Sequence, residues 1–95
     1  MTVAGYINMQ ALGERVLIRR RRLDLSQHAL AAKAGVDVMT ISRLERGDKK
    51  RLEIEPLARL ARALDVTTDY LLGMDSTPRP RPRKTTSALE ETWHV

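Results

Sequence analysis

The side chains of this sequence with chemistry to offer are its cations. Arginine fills positions 19–22, a basic triplet of Lys49, Lys50 and Arg51 follows further along, and Arg79, Arg81 and Arg83 alternate with prolines near the end. Seventeen lysines and arginines stand against twelve aspartates and glutamates, a net charge of +5. A basic surface suits a polyanion, because each phosphate it neutralises releases condensed counterions. An acidic membrane surface fits the same balance, and so does simple solubility, so the placement of the charges has to decide. Other chemistries find little support. The absence of cysteine rules out disulfides and thiolate metal sites. His28 and His94 are far apart and form no ligand spacing. No Ser-His-Asp set and no phosphate-cradling glycine loop occurs, so neither an enzyme nor a metal or cofactor is expected.

Three stretches position these groups. Residues 1–10 are a mixed lead-in that either frays or starts the first helix early. Residues 11–73 carry Leu, Ala, Ile and Val at spacings of three and four, which is helical periodicity. Residues 74–95 change character: Pro78, Pro80 and Pro82 at every second position exclude a helix or an interior strand and predict an extended, flexible linker. A short tail with the single tryptophan, Trp93, follows. No apolar run reaches the ~20 residues of a membrane span, and no basic region precedes an apolar core at the start. A cytoplasmic protein without a membrane partner is expected.

Within residues 11–73 the start and stop signals predict five short helices, an all-α bundle. The first covers residues 11–23 and ends where Asp24 takes a left-handed conformation. Ser26 caps a second over 27–34, with Gly35 past its end. Asp37 caps a third over 38–46, closed by Gly47. After a basic loop at 48–52, a fourth helix covers 54–64, with Pro56 tolerable in its first turn. Thr67 caps a fifth that ends at Gly73. Leu12, Val16, Leu25, Leu30, Ile41, Leu44, Leu57, Leu60, Ala61, Leu64 and Leu71 are the expected core, aliphatic because the chain has no phenylalanine.

The densest signal lies in residues 27–46, QHALAAKAGVDVMTISRLER. Two short helices that meet steeply need an apolar Leu30, a small Ala31 where the second helix crosses, a Gly35 free to take positive φ, a Val36 to plug the turn, and Ile41 and Leu44 to anchor the third helix from beneath. Every one of these positions is filled accordingly. The third helix then turns Val38, Met39, Ser42, Arg43 and Arg46 outward.

The run LSQHALAAKAGV followed by ISRLERG, with ALDVTTDYLLG further on, resembles the phage repressor/Cro-like (XRE) helix-turn-helix family over residues 11–73. That resemblance implies a compact five-helix DNA-binding domain, acting as a homodimer on double-stranded DNA with a near-palindromic operator, in a bacterial or phage setting. It places Val38, Met39 and Arg43 at base-reading positions. Arginine can pair with guanine O6 and N7, and apolar side chains can meet a thymine methyl. Gln27 resembles a phosphate-contacting glutamine, with helix capping as its alternative. Thr40 and Ser42 suit phosphate or water contacts. Lys49, Lys50 and Arg51 fall in a loop that resembles a backbone-contacting one. Arg20 and Glu45 match a structural ion pair between the first and third helices. Val66, Thr68, Tyr70 and Leu71 are the implied dimer interface. Asp24 departs from the family pattern, which has glycine there.

The leading expectation is a transcriptional regulator, specifically a repressor. The alternative is an antitoxin that represses its own operon and binds a toxin through residues 88–95. In that tail Ser87 and Glu90 have capping-box spacing, and Leu89 and Trp93 lie one helical turn apart. A pure protein-interaction module is disfavoured by the basic loop and Arg43.

Overall fold

Five α-helices follow one another through residues 7–76, the residues described by this computed structural model: α1 (Met9–Arg22), α2 (Gln27–Ala34), α3 (Val38–Arg46), α4 (Ile54–Leu64) and α5 (Thr68–Leu72). No strand occurs among the described residues, and the expected all-α bundle is what forms. Local chemistry sets the boundaries. Side-chain oxygens of Asn8, Ser26, Asp37 and Thr67 accept from the backbone N–H groups of Ala11, Ala29, Met39 and Tyr70 at 3.0, 3.0, 3.1 and 2.9 Å. Each such cap satisfies one orphan donor and contributes about 1 kcal/mol. The Asn8 cap explains why α1 starts at Met9, two residues before the apolar spacing suggests. Helix α4 has no side-chain cap on Glu53. Pro56 in its first turn lacks an N–H that would otherwise need a partner.

Two helices end on a non-glycine residue in left-handed conformation, Asp24 (φ 61°) and Asp65 (φ 59°). The sequence anticipates the first of these and not the second. Gly35 (φ 71°) makes the turn between α2 and α3, where its N–H and that of Val36 both donate to the Ala31 carbonyl at 2.9 and 3.1 Å.

The core is aliphatic throughout. Leu12, Val16, Leu30, Ile41, Leu44, Leu60, Ala61, Leu64 and Leu71 are buried as expected, while Leu25 and Leu57 only pack against the core's edge. Ala31, Ala34, Ala63 and Val66 join them. The tightest approach is between α1 and α3. A Cβ on Gly13 would overlap the Leu44 carbonyl oxygen and lie 2.7 Å from its carbonyl carbon. Only glycine lets α1 run this close to α3.

The arginine run is more structural than its solvated appearance suggests. Arg19 Nε donates to the carbonyl of Leu64, the last residue of α4, at 2.9 Å, and Arg15 Nη1 reaches the Leu71 carbonyl in α5 at 3.4 Å. A cation on the last carbonyls of a helix satisfies orphan acceptors and suits the negative end of its dipole. Arg21 and Arg22 are exposed. No helix among the described residues is long and apolar enough to cross a membrane.

Candidate nucleic-acid interface

Helix α3 is fixed from below and bare above. Ile41 and Leu44 are fully buried, so its inner face is committed to the core. Met39, Ser42, Arg43 and Arg46 recur at the spacings of three and four that define one helix face. Met39 is 47% exposed, an apolar side chain presented to solvent on that face. Arg43 and Arg46 are exposed, and Ser42 is half-buried. Arg46 Nε lies 3.3 Å from Asp48 Oδ2, an exposed ion pair of little energetic weight. Arg46 shares the stripe, a member the spacing in the sequence already indicates.

Val38 departs from the outward expectation. It is half-buried and packs against the core, because it lies one turn before Ile41 and shares that residue's face. Of the proposed contact set on α3 only Met39, Ser42 and Arg43 form a common outer stripe.

A concavity lies between α3 and the basic loop. Thr40, Lys49 and Arg51 line an open cleft of about 600 Å³ together with Met9, Leu52, Glu53 and Pro56. The structure thus brings one residue of α3 and two loop cations to a single depression, while Lys50 stands exposed beside them. Cations set around a shallow groove can grip an anionic backbone without selecting among bases.

The α2 N-terminus is tied to both neighbouring helices through one carboxylate. Arg20 grips Glu45 with a fork, Nε to Oε2 at 2.6 Å and Nη2 to Oε1 at 2.9 Å, and its Nη1 donates to the Leu25 carbonyl at 2.8 Å. The side chains are 11% and 5% exposed. The hydrogen bond to Glu45 holds Arg20 above the ordinary arginine range, with burial pulling the other way and the carboxylate's charge adding to the rise. Gln27 Nε2 donates to the same Glu45 Oε1 at 2.9 Å. Gln27 therefore does not cap α2, a task Ser26 performs.

The expected dimer residues divide. Val66 and Leu71 are 4% and 0% exposed, their surfaces already used inside the protomer. Thr68 and Tyr70 are half-exposed on α5. Among the described residues no group of His, Asp or Glu is placed to hold a metal ion. The tail expected to dock on a partner lies outside the described residues.

A helix-turn-helix family model matches residues 17–71. Repressor protein C2 of Salmonella phage P22 is 39% identical over 69 residues, covering 73% of this chain and 32% of the repressor. A transcriptional regulator encoded in the ATPase CF(0) region of Rhodospirillum rubrum is 41% identical over 62 residues, covering 65% of this chain and 56% of that protein. The chain thus spans about a third of the first relative's length and little more than half of the second's. The crystal structure of the P22 repressor with synthetic operator 9T in the presence of Tl+ matches with a TM-score of 0.63 at 39% identity, covering 70% of this chain and 98% of that one. The solution structure of the P22 repressor's DNA-binding domain gives 0.61 at 38% identity, covering 74% and 93%.

Proposed function

The chain belongs to the helix-turn-helix family of DNA-binding transcriptional regulators, which are not enzymes, and on that premise we propose that it is a repressor. It binds a near-palindromic operator in double-stranded DNA as a homodimer in the cytoplasm, with α3 lying in the major groove. The observation that carries this reading is the outer stripe of exposed Met39 and Arg43 with half-buried Ser42 beside them, on a helix whose opposite face is fixed by Ile41 and Leu44. A rigidly seated helix with a bare outer face is the geometry that direct readout needs. Arg43 pairs with a guanine edge, Met39 meets a thymine methyl, and Val38 supports the first turn.

Around that helix, Gln27, Thr40, Ser42, Lys49, Lys50 and Arg51 hold the sugar-phosphate backbone and set the register. One domain reads one half-site. A two-fold dimer places two α3 helices about 34 Å apart, one turn of DNA. Thr68 and Tyr70 supply the surface for that contact, and Val66 and Leu71 brace it from beneath. The solved P22 repressor bound to a synthetic operator supports the choice of DNA as ligand. The antitoxin alternative depends on residues 88–95, outside the described residues, and no contact within 7–76 favours it.

Selection from random duplexes, followed by sedimentation of the complex, tests the proposal. The expected result is two inverted copies of one short motif with centres about 10 base pairs apart, bound by two chains. A single asymmetric motif bound by one chain would refute the dimeric operator reading.

A further inference from the structure

We infer that Glu45 is a positioning residue for DNA binding, acting through Gln27 as well as holding Arg20. The inference rests on the reading above that Gln27 meets the DNA backbone. One carboxylate oxygen, Glu45 Oε1, accepts from Arg20 Nη2 and from Gln27 Nε2, each at 2.9 Å. The carboxylate comes from the last turn of α3, the guanidinium from the last turn of α1, and the amide from the first residue of α2. Three helix ends therefore meet at one acceptor, and the only partner of the three that is also placed for DNA is Gln27.

The chemistry of the amide gives this contact its consequence. An ionised carboxylate only accepts, so the amide nitrogen and not the amide oxygen must face Glu45. Nε2 carries two hydrogens. One is held by Glu45, and the other, at the planar amide's fixed angle to it, can donate to a second acceptor such as a phosphate oxygen. A free glutamine side chain loses considerable rotamer freedom when it binds. Gln27 has surrendered much of it in the unbound protein, because Glu45 is 5% exposed and itself clamped by the Arg20 fork. Ordering a side chain in advance removes about 0.5–1.5 kcal/mol from the cost of binding, roughly twofold to tenfold in affinity.

A mutant cycle separates this role from simple support of the fold. Operator affinity is measured for the full chain, for Gln27→Ala, for Glu45→Asp and for the double variant, each corrected by its folded fraction from thermal melting. Gln27→Ala is expected to weaken binding roughly tenfold to a hundredfold, as loss of a hydrogen bond to a charged group does. Glu45→Asp, which keeps a charge opposite Arg20 while withdrawing the acceptor from Gln27, is expected to weaken it roughly twofold to tenfold alone and to have no effect when Gln27 is already alanine. A duplex with a neutral methylphosphonate at the phosphate sensitive to Gln27→Ala should respond less to both substitutions, because the acceptor's charge is gone. If Glu45→Asp is not folded at the assay temperature, Glu45→Met, of similar length and with only a weak acceptor, runs the same cycle at a lower temperature. Equal losses from the Glu45 substitution in both backgrounds would overturn the positioning role and leave Gln27 as a phosphate contact. No loss from Gln27→Ala would overturn the phosphate contact itself, and the positioning role with it.

Discussion

Replacing Gly13 by alanine sets two physical effects against each other with opposite signs. Helix propensity alone favours alanine by about 1 kcal/mol in a helix interior such as α1. Packing says otherwise. The new methyl would overlap the Leu44 carbonyl oxygen and sit 2.7 Å from its carbonyl carbon, where non-bonded carbons prefer about 3.5–4.0 Å. The obstacle is backbone of α3, so no rotamer change relieves it, and the helices must part by about 1 Å. Overpacking of this kind costs typically 1–3 kcal/mol and more where nothing can yield. The rigid obstacle puts this site at or above the top of that range, so packing wins by about 2 kcal/mol or more. For a domain of this size that lowers the melting temperature by roughly 10 °C. Because Glu45 follows Leu44 directly, the shift also pulls on the Arg20 fork, and DNA affinity should fall further than the unfolded fraction explains. Thermal and urea melting followed by circular dichroism measure the effect. A Gly13→Ala variant that melts at or above the parent would show that α1 and α3 do not approach as described.

Asp65→Gly relieves a left-handed residue at φ 59° and should raise stability by about 0.5–1 kcal/mol in melting experiments, leaving DNA affinity unchanged. Lys50→Ala should weaken specific and non-specific duplexes alike and make the slope of log K against log salt shallower by about 0.9. A change in which base is preferred would remove Lys50 from the backbone set.

The α2–turn–α3 unit is legible in the sequence because its punctuation is local. Ser26, Gly35, Asp37 and Gly47 each act on backbone groups within a few residues, and each sits where its type requires. Val38 is misplaced when α3 is read by its outward residues alone, although its spacing of three from Ile41 carries the correct answer. Gly13 is a weaker signal, since an isolated glycine in a helical pattern is merely tolerated, and that it meets the α3 backbone at Leu44 depends on the fold. The roles of Arg15 and Arg19 are not legible at all. Their carbonyl partners lie 56 and 45 residues away, and a run of arginines looks the same whether it faces water or a helix end. Val66 and Leu71 show two readings pulling in different directions. Their assignment to a dimer surface comes from the resemblance, whereas apolar spacing alone already places Leu71 in the core, where it is found.

The central claim is that α3 reads bases with its outer stripe while the surrounding cations hold the backbone. Its most direct test is a base-by-base substitution scan of the selected duplex with the parent chain and with Arg43→Ala. The account predicts that the variant loses about 1–3 kcal/mol on the best site and becomes indifferent at one guanine per half-site, with preferences at the other positions intact. Unchanged preferences at every position, or an equal loss on all sequences, would contradict it.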